Sequence, residues 1–292
     1  MPPLEAYGRF AAVWMEWFRL SVGKKLYNLV ESSSQCALRC LSSYAFPGRG
    51  RPLPPVVLVT LPKSGSIFIH TAIRRTLRIP MVKINASYTF GTSLNYSALV
   101  RLAKGGAVCR EHFEADEFLL EAMHREGIKR INLHVRDPRG AIVSWTRNME
   151  RSNEVGGLAS MMLHCQNVLP EAYPLWPFQE RLAWQVEHHL PRYVKWIDDW
   201  MSLSDRYAQI EFRVTSYESF KRDNRAFIVD LLKFFEVPIE ESWITLPKYK
   251  VGSANVFHRS EKTVREEMGE ALYAKATAMV PAHLVARFGW ND

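Results

Sequence analysis

The chain has 292 residues, 47% hydrophobic and 23% charged, the proportions of a soluble globular protein that buries one large core, or one core with a helical appendage. Four cysteines (Cys36, Cys40, Cys109, Cys165) are too few and too scattered for a disulfide scaffold, and no apolar run approaches the roughly 18 residues needed to cross a bilayer. A formal charge of +8 points toward an acidic ligand, nucleic acid or an anionic surface, with plain solubility as the alternative.

Residues 7–30 read as an amphipathic helix, with Tyr7, Phe10, Trp14, Trp17, Phe18 and Leu26 near one face and Arg9, Glu16, Arg19 and Lys24 mostly elsewhere. Such a helix packs on the main domain, on a second subunit, or on a membrane surface as a peripheral contact. Cys36 and Cys40 stand one helical turn apart with no second pair to complete a zinc site. The first residues, MPPLEAYGRF, lack the basic and apolar regions of a secretory signal, and the cysteines read as reduced thiols, so a cytoplasmic protein is expected. The stretch 44–55, rich in Pro, Gly and Arg, is a linker. It divides an N-terminal helical extension, 1–50, from the main domain, 51–292.

Val56 to Leu61 is a β-branched apolar run bounded by prolines, the pattern of a strand buried on both faces. Ile69, Ala72, Ile73 and Leu77 then recur at helical spacing. Between them lies Pro62-Lys63-Ser64-Gly65-Ser66. A strand, a tight turn with small residues and a lysine, and a helix N-terminus form an anion cradle of outward N–H groups, a favourable dipole and one full positive charge. The nucleoside-triphosphate form of this device, G-x-x-x-x-G-K-[ST], is absent, because the lysine precedes the glycine. The turn therefore implies a phosphate or sulfate ligand without implying ATP and magnesium.

A second short strand is expected at 80–84, and a polar loop at 85–96 that borders a ligand. Val108 to Phe113 reads as a strand running into a loop, and 118–125 as a helix closed by Gly127. Ile131 to Val135 is the next buried strand, with Arg136 at its end. Asp137 and Pro138 then supply an N-cap carboxylate and a proline at the first helical position. In an open parallel sheet, ligands bind at the C-terminal strand ends, so Lys63 and Arg136 face one crevice if their strands are neighbours. Ser144 stands eight positions beyond Arg136, so both meet one anion only if the turn folds Arg136 back over the helix.

Residues 150–177 read as an irregular lid or substrate loop, and 178–201 as a Trp-rich helical pattern interrupted by Pro191. A strand at 208–214, a helix at 225–235, a basic loop at 244–262 and a helical region at 263–287 complete the chain. This alternation, with an anion turn after the first strand, implies an α/β domain built on a doubly wound parallel sheet flanked by helices.

With these residues placed, the chain resembles the sulfotransferase family that uses 3′-phosphoadenosine 5′-phosphosulfate (PAPS), whose fold is that of the P-loop NTPases. Pro62 to Phe68, PKSGSIF, is similar to the family's 5′-phosphosulfate loop, PKSGTTW, and Arg136-Asp137-Pro138-Arg139 through Ser144 is similar to its 3′-phosphate segment, RNPRD-x-x-x-S. Tyr193 to Trp200, Arg213 to Phe220 (with Tyr217), Phe227 to Val237, and Phe288-Gly289-Trp290 resemble further family segments. The resemblance runs from about residue 55 to the end. Ile67 and Phe68 replace the usual Thr and Trp, so adenine stacking falls to Phe68 or another ring. The C-terminal RKG-x-x-G motif is reduced to Arg259-Ser260-Glu261, from which only Arg259 carries over.

The resemblance implies that Lys63 stabilises the leaving phosphate's bridging oxygen. The backbone N–H groups of Gly65, Ser66, Ile67 and Phe68, with Ser64, hold the 5′ phosphate. Arg136 and Ser144, with Tyr217 and Arg259, hold the rest of the nucleotide, whose product form is adenosine 3′,5′-bisphosphate. His112, in a stretch similar to the family's K-T-H-L-P, is the leading general base, and Glu111 the second candidate. No metal is expected, since His188-His189 and His164-Cys165 lack partners at ligand spacing. The acceptor is a small molecule or a carbohydrate, the nucleophile oxygen or nitrogen; no nucleic acid is expected, and dimerisation stays open. Two other readings remain at this level. A P-loop kinase would need G-K-[ST] and a strand-end Asp for magnesium. A non-catalytic basic module would bind nucleic acid or anionic lipid through Arg74, Arg75, Arg78 and the N-terminal helix.

Overall fold

The computed structural model describes residues 53–86, 90–165, 169–248 and 262–291, with the side chains of 152–165 excepted. The expected 7–30 helix and 1–50 extension, Cys36, Cys40 and Arg259 lie outside the described residues. Within them the chain runs β1 (Val56–Thr60), α1 (Ser66–Leu77), α2 (Tyr96–Ala103), β2 (Val108–Glu111), α3 (Glu117–Arg125), β3 (Arg130–Val135), α4 (Pro138–Cys165), α5 (Phe178–His188), α6 (Leu190–Arg206), β4 (Glu211–Ser216), α7 (Tyr217–Arg222), α8 (Asn224–Phe234), α9 (Val264–Met268), α10 (Glu270–Ala278) and α11 (Ala282–Phe288).

The four strands form one sheet in the order β2-β1-β3-β4, and every pairing is parallel. β1 sits in the middle because its five residues are apolar or hydroxyl and all are buried, so helices must cover both of its faces. Alternation along the strand does this. Val56 and Leu58 pack with Ile69, Ile73 and Leu77 of α1 and with Ile228, Leu231 and Leu232 of α8. Val57 and Val59 face the opposite layer, with Leu99 of α2, Leu120 of α3, Ile142 of α4 and Trp196 of α6. Helices on both faces make the sheet doubly wound, as the alternation of elements predicts. The chain leaves β1 toward β2 on one side and returns to β3 on the other, so the strand order reverses around β1, and the crevice opens at its C-terminal end.

Two expectations are corrected. Residues 80–84 are not a strand. The Pro80 carbonyl accepts from Val108 N–H and Val82 N–H bonds to the Val108 carbonyl, leaving Met81 one isolated bridge beside β2, since proline cannot donate a further rung. Residues 150–165 continue α4, so the helix runs through Gly156-Gly157 instead of ending in a lid. The polar loop before 96 ends at Asn95, which caps α2, its Oδ1 accepting from Ala98 N–H at 3.1 Å. The helical region 263–287 consists of three short helices, broken at Gly269 (φ 75°) and at Pro281. The break before Pro191 is where it was expected, with His189 between α5 and α6.

Candidate active site

β1 and β3 are adjacent, with Thr60 opposite His134, so the turn after β1 and the turn after β3 meet. The first is held from three directions. Leu61 N–H bonds to the His134 carbonyl at 2.9 Å, Ser64 Oγ donates to the Leu61 carbonyl at 2.7 Å, and Arg136 Nη1 donates to the Lys63 carbonyl at 2.7 Å. Lys63 (φ 64°) and Gly65 (φ 80°) both adopt left-handed backbone, which turns the chain sharply into α1. At Gly65 a side chain would also strike: an added Cβ would lie 3.2 Å from the Tyr217 ring and 3.3 Å from Phe220. Gly65 is the N-cap of α1 without a side-chain cap, so the N–H groups of the first turn face the crevice. Phe68 N–H closes on the Gly65 carbonyl at 2.9 Å, which leaves Gly65, Ser66 and Ile67 ahead of the first hydrogen-bonded turn. The Ser64 hydroxyl is buried and committed to the Leu61 carbonyl, and the Ser66 hydroxyl accepts from Arg110 Nη1 at 3.3 Å.

Arg136 does fold back over its helix. Its guanidinium lies 4.2 Å over the Tyr217 ring, and a Cβ on Gly140 would come within 3.3 Å of its Nε and Nη2. Burial holds its pKa below the ordinary value. Asp137 caps α4, its Oδ1 accepting Arg139 N–H at 2.9 Å, and Glu218 accepts Asp137 N–H at 3.1 Å. Arg139 is structural. It is 2% exposed and bonds Asp137, Tyr273 Oη at 2.7 Å, Thr277 Oγ1 at 3.1 Å and the Trp290 carbonyl at 2.6 Å, fastening the C-terminal segment to this turn. Gly140, Ser144 and Asn148 recur every fourth residue, so one face of α4 runs past the crevice. Asn148 Oδ1 accepts from Lys63 Nζ at 3.1 Å. Burial, then the Arg136 charge, lowers the Lys63 ammonium to about 8.

His112 stands at the end of β2, against the same turn. Its Nδ1 lies 2.5 Å from the Thr60 carbonyl, which can only accept, so Nδ1 carries the proton and Nε2 the lone pair. Arg110 Nη1 donates to that lone pair at 3.0 Å. Burial and the Arg110 charge push the imidazole down to about 3. Glu111 beside it points the other way, is 4% exposed, and accepts Ile84 N–H at 2.6 Å; burial raises it to about 7.

Lys63, Ser64, Gly65, Ser66, Ile67, Phe68, Arg136 and Tyr217 are thus gathered at one crevice with His112 on its rim. Ser144 lies on the bordering face of α4, and Glu111 is directed into the fold. Among the described residues no group of three His, Cys, Asp or Glu is arranged to hold a metal ion, and no helix is long and apolar enough to cross a membrane. Two further side chains at the crevice escape motif reading. Asn148 is one helical turn beyond Ser144, and Arg110 is two residues before His112 on a strand, hence on its side. Periodicity applied to the already suspected residues would have found both.

A family model for the sulfotransferase domain matches residues 53–270. The chain belongs to the sulfotransferase family. Among solved structures, this sulfotransferase is similar to mouse sulfotransferase SULT7A1 complexed with PAP, at 21% identity and a TM-score of 0.41, over 72% of this chain and 67% of that one. It is also similar to the sulfotransferase domain from the curacin biosynthetic pathway, at 12% identity and a TM-score of 0.43, over 82% of this chain and 99% of that one. No curated protein sequence matches it. In this sulfotransferase the matched span contains both turns of the crevice and ends at the first residue of α10.

Proposed function

We propose that this sulfotransferase moves a sulfuryl group from PAPS to a hydroxyl or amine of a small-molecule or carbohydrate acceptor. The observation that carries the reading is the pair of cations on adjacent strand ends: the Lys63 backbone is bonded by Arg136, and both side chains open on one crevice at the N-terminus of α1. The residues fit the nucleotide. The glycine at 65 clears space that a Cβ would fill, and the glycine at 140 clears the flank of Arg136.

PAPS supplies the sulfuryl group and, as its leaving group, a phosphate that gains charge. Lys63 stays cationic at neutral pH, its pKa being about 8, and its Nζ neutralises that charge at the bridging oxygen. The N–H groups of Gly65, Ser66 and Ile67 fix the 5′ phosphate at the positive end of α1, with the N–H of Phe68 beside them already turned toward the Gly65 carbonyl. Arg136 offers a planar fork for the 3′ phosphate, held flat by Tyr217, with Ser144 and Arg259 completing the grip. His112 is the base. Its Nε2 lone pair is exposed to an incoming acceptor once the Arg110 N–H gives way, and Nδ1–H keeps the ring in the right tautomer. Glu111 is the weaker candidate, since its carboxylate braces the backbone at Ile84.

The test is transfer of labelled sulfate from PAPS to a panel of phenols, alcohols, amines and sugars, run with and without EDTA. Product formed in both conditions is the expected result. Transfer from ATP in place of PAPS, lost on adding EDTA, would overturn the reading.

A further inference from the structure

Beneath the anion turn lies a buried histidine whose side chain does not open on the crevice. His134, in β3, is 1% exposed and has both ring nitrogens engaged. Nε2 lies 2.8 Å from the Ser64 carbonyl and Nδ1 2.9 Å from Thr215 Oγ1 on β4. A carbonyl only accepts, so Nε2 carries a proton. Burial pushes the ring's pKa down to about 4, so at neutral pH there is no second proton, and Nδ1 accepts from the Thr215 hydroxyl. Thr215 has one proton to give, and its next neighbour is the side-chain amide of Asn132, with Oδ1 at 3.1 Å and the residue 1% exposed. The Leu133 carbonyl also lies 3.4 Å from that hydroxyl. The part of the network that reaches the turn runs from Thr215 to His134 and from His134 Nε2–H to the carbonyl of Ser64.

The end of that chain matters because a peptide unit is planar and trans. With the Ser64 carbonyl turned down onto His134, the N–H of Gly65 in the same peptide unit points the opposite way, toward the crevice. We propose that His134 is a positioning residue that anchors the Ser64 carbonyl through its Nε2–H and so keeps the Gly65 N–H aimed at the bound anion. The proposal rests on the crevice binding the phosphate end of a nucleotide, as in the reading above. It adds a role for a strand residue that never meets the ligand.

The experiment compares the wild-type protein with His134→Leu, His134→Gln and Thr215→Val. Binding of adenosine 3′,5′-bisphosphate and of inorganic pyrophosphate is measured by calorimetry, and the Gly65 amide signal is followed in an ¹⁵N–¹H spectrum. Leu keeps most of the bulk but removes the donor, and should weaken both anions by about tenfold and move the Gly65 signal. Gln carries an N–H at nearly the reach of Nε2, and should restore affinity to within about threefold of wild type and return the signal. Thr215→Val frees the tautomer without touching the ring and should fall between them. Wild-type affinity in a folded His134→Leu protein overturns the proposal. So does a Gln variant as weak as Leu, which would make the effect one of packing. If His134→Leu does not fold, an unchanged Gly65 signal and affinity in Thr215→Val overturn it instead. Pyrophosphate binding that follows the expected order while the nucleotide fails to bind would sink the nucleotide reading and leave the role of His134 standing. A wild-type protein that binds neither anion overturns both.

Discussion

The two cations of the crevice are expected to fail differently. In the proposed reaction Lys63 meets charge that develops only as the sulfuryl group leaves, so Lys63→Ala should cut turnover by roughly 100-fold or more while nucleotide affinity changes little. In that proposed reaction Arg136 holds the nucleotide before and during transfer, so Arg136→Ala should mainly weaken binding, by about 10- to 100-fold. Single-turnover rates and calorimetry separate the two effects. The Lys63 ammonium also fixes the alkaline behaviour. Its pKa of about 8 means the cation is lost, and turnover with it, as pH rises through that value. Facing it are Arg136 just past β3, His112 just past β2 and Asn148 from α4. Asn148→Leu removes an acceptor from a desolvated cation and should move the alkaline limb to lower pH. Asn148→Asp supplies a carboxylate and should move it higher. Limbs that coincide in all three proteins would detach Lys63 from the pH dependence.

At the scale of elements, the turn after β1 and the first turn of α4 depend on two glycines whose missing side chains make room for other groups. Gly140 lies inside a helix, where alanine is ordinarily better by about 1 kcal/mol. Its Cβ would, however, press on the Arg136 guanidinium at 3.3 Å. Gly140→Ala should therefore leave the melting temperature unchanged or raised while weakening nucleotide binding several-fold. Unaltered binding would mean that the guanidinium is not held where the site needs it. The elements that build this corner were legible in the sequence because they obey local rules. A β-branched run marks β1, Asp137-Pro138 marks the start of α4, and Pro191 marks the gap between α5 and α6. What was not legible depends on neighbours. Pro80 to Ile84 has strand composition but meets β2 at a single bridge. Gly156-Gly157 signals a loop but is carried inside a helix of 28 residues. Ser144 was read from a motif and Asn148 stands one turn beyond it, whereas His134 shows its role only when β3 lies beside the turn.

At the scale of the whole molecule, four histidines among the described residues, three buried and His112 half-buried, set the response to acid. His70, His134 and His189 are held at about 4 and His112 at about 3, in each case chiefly by burial. Below the ordinary histidine value of about 6.5 the unfolded chain takes up protons that the folded one refuses, so stability falls as pH drops from there toward 4. Glu111, raised to about 7, acts in the opposite sense over part of that range, one group against four. Denaturant midpoints measured from pH 7.5 to 4.5 should decline steadily, and a flat or rising series would contradict the burial of these rings. The doubly wound sheet with its crevice beside β1 was foreseeable from the alternation of strands and helices. The donor network beneath the crevice was not, because parallel pairing brings residues 64, 134 and 215 together from three distant parts of the sequence.

The proposed function requires Lys63 and Arg136 to grip opposite ends of one adenosine nucleotide carrying phosphate at both the 3′ and 5′ positions. The most direct measurement is calorimetric binding of adenosine 3′,5′-bisphosphate, ATP with magnesium, and AMP to the wild-type protein. The bisphosphate is expected to bind at least about tenfold more tightly than either competitor, a margin of about 1.4 kcal/mol. ATP with magnesium binding as tightly as the bisphosphate, or AMP matching it, would mean that the two cations do not share that ligand.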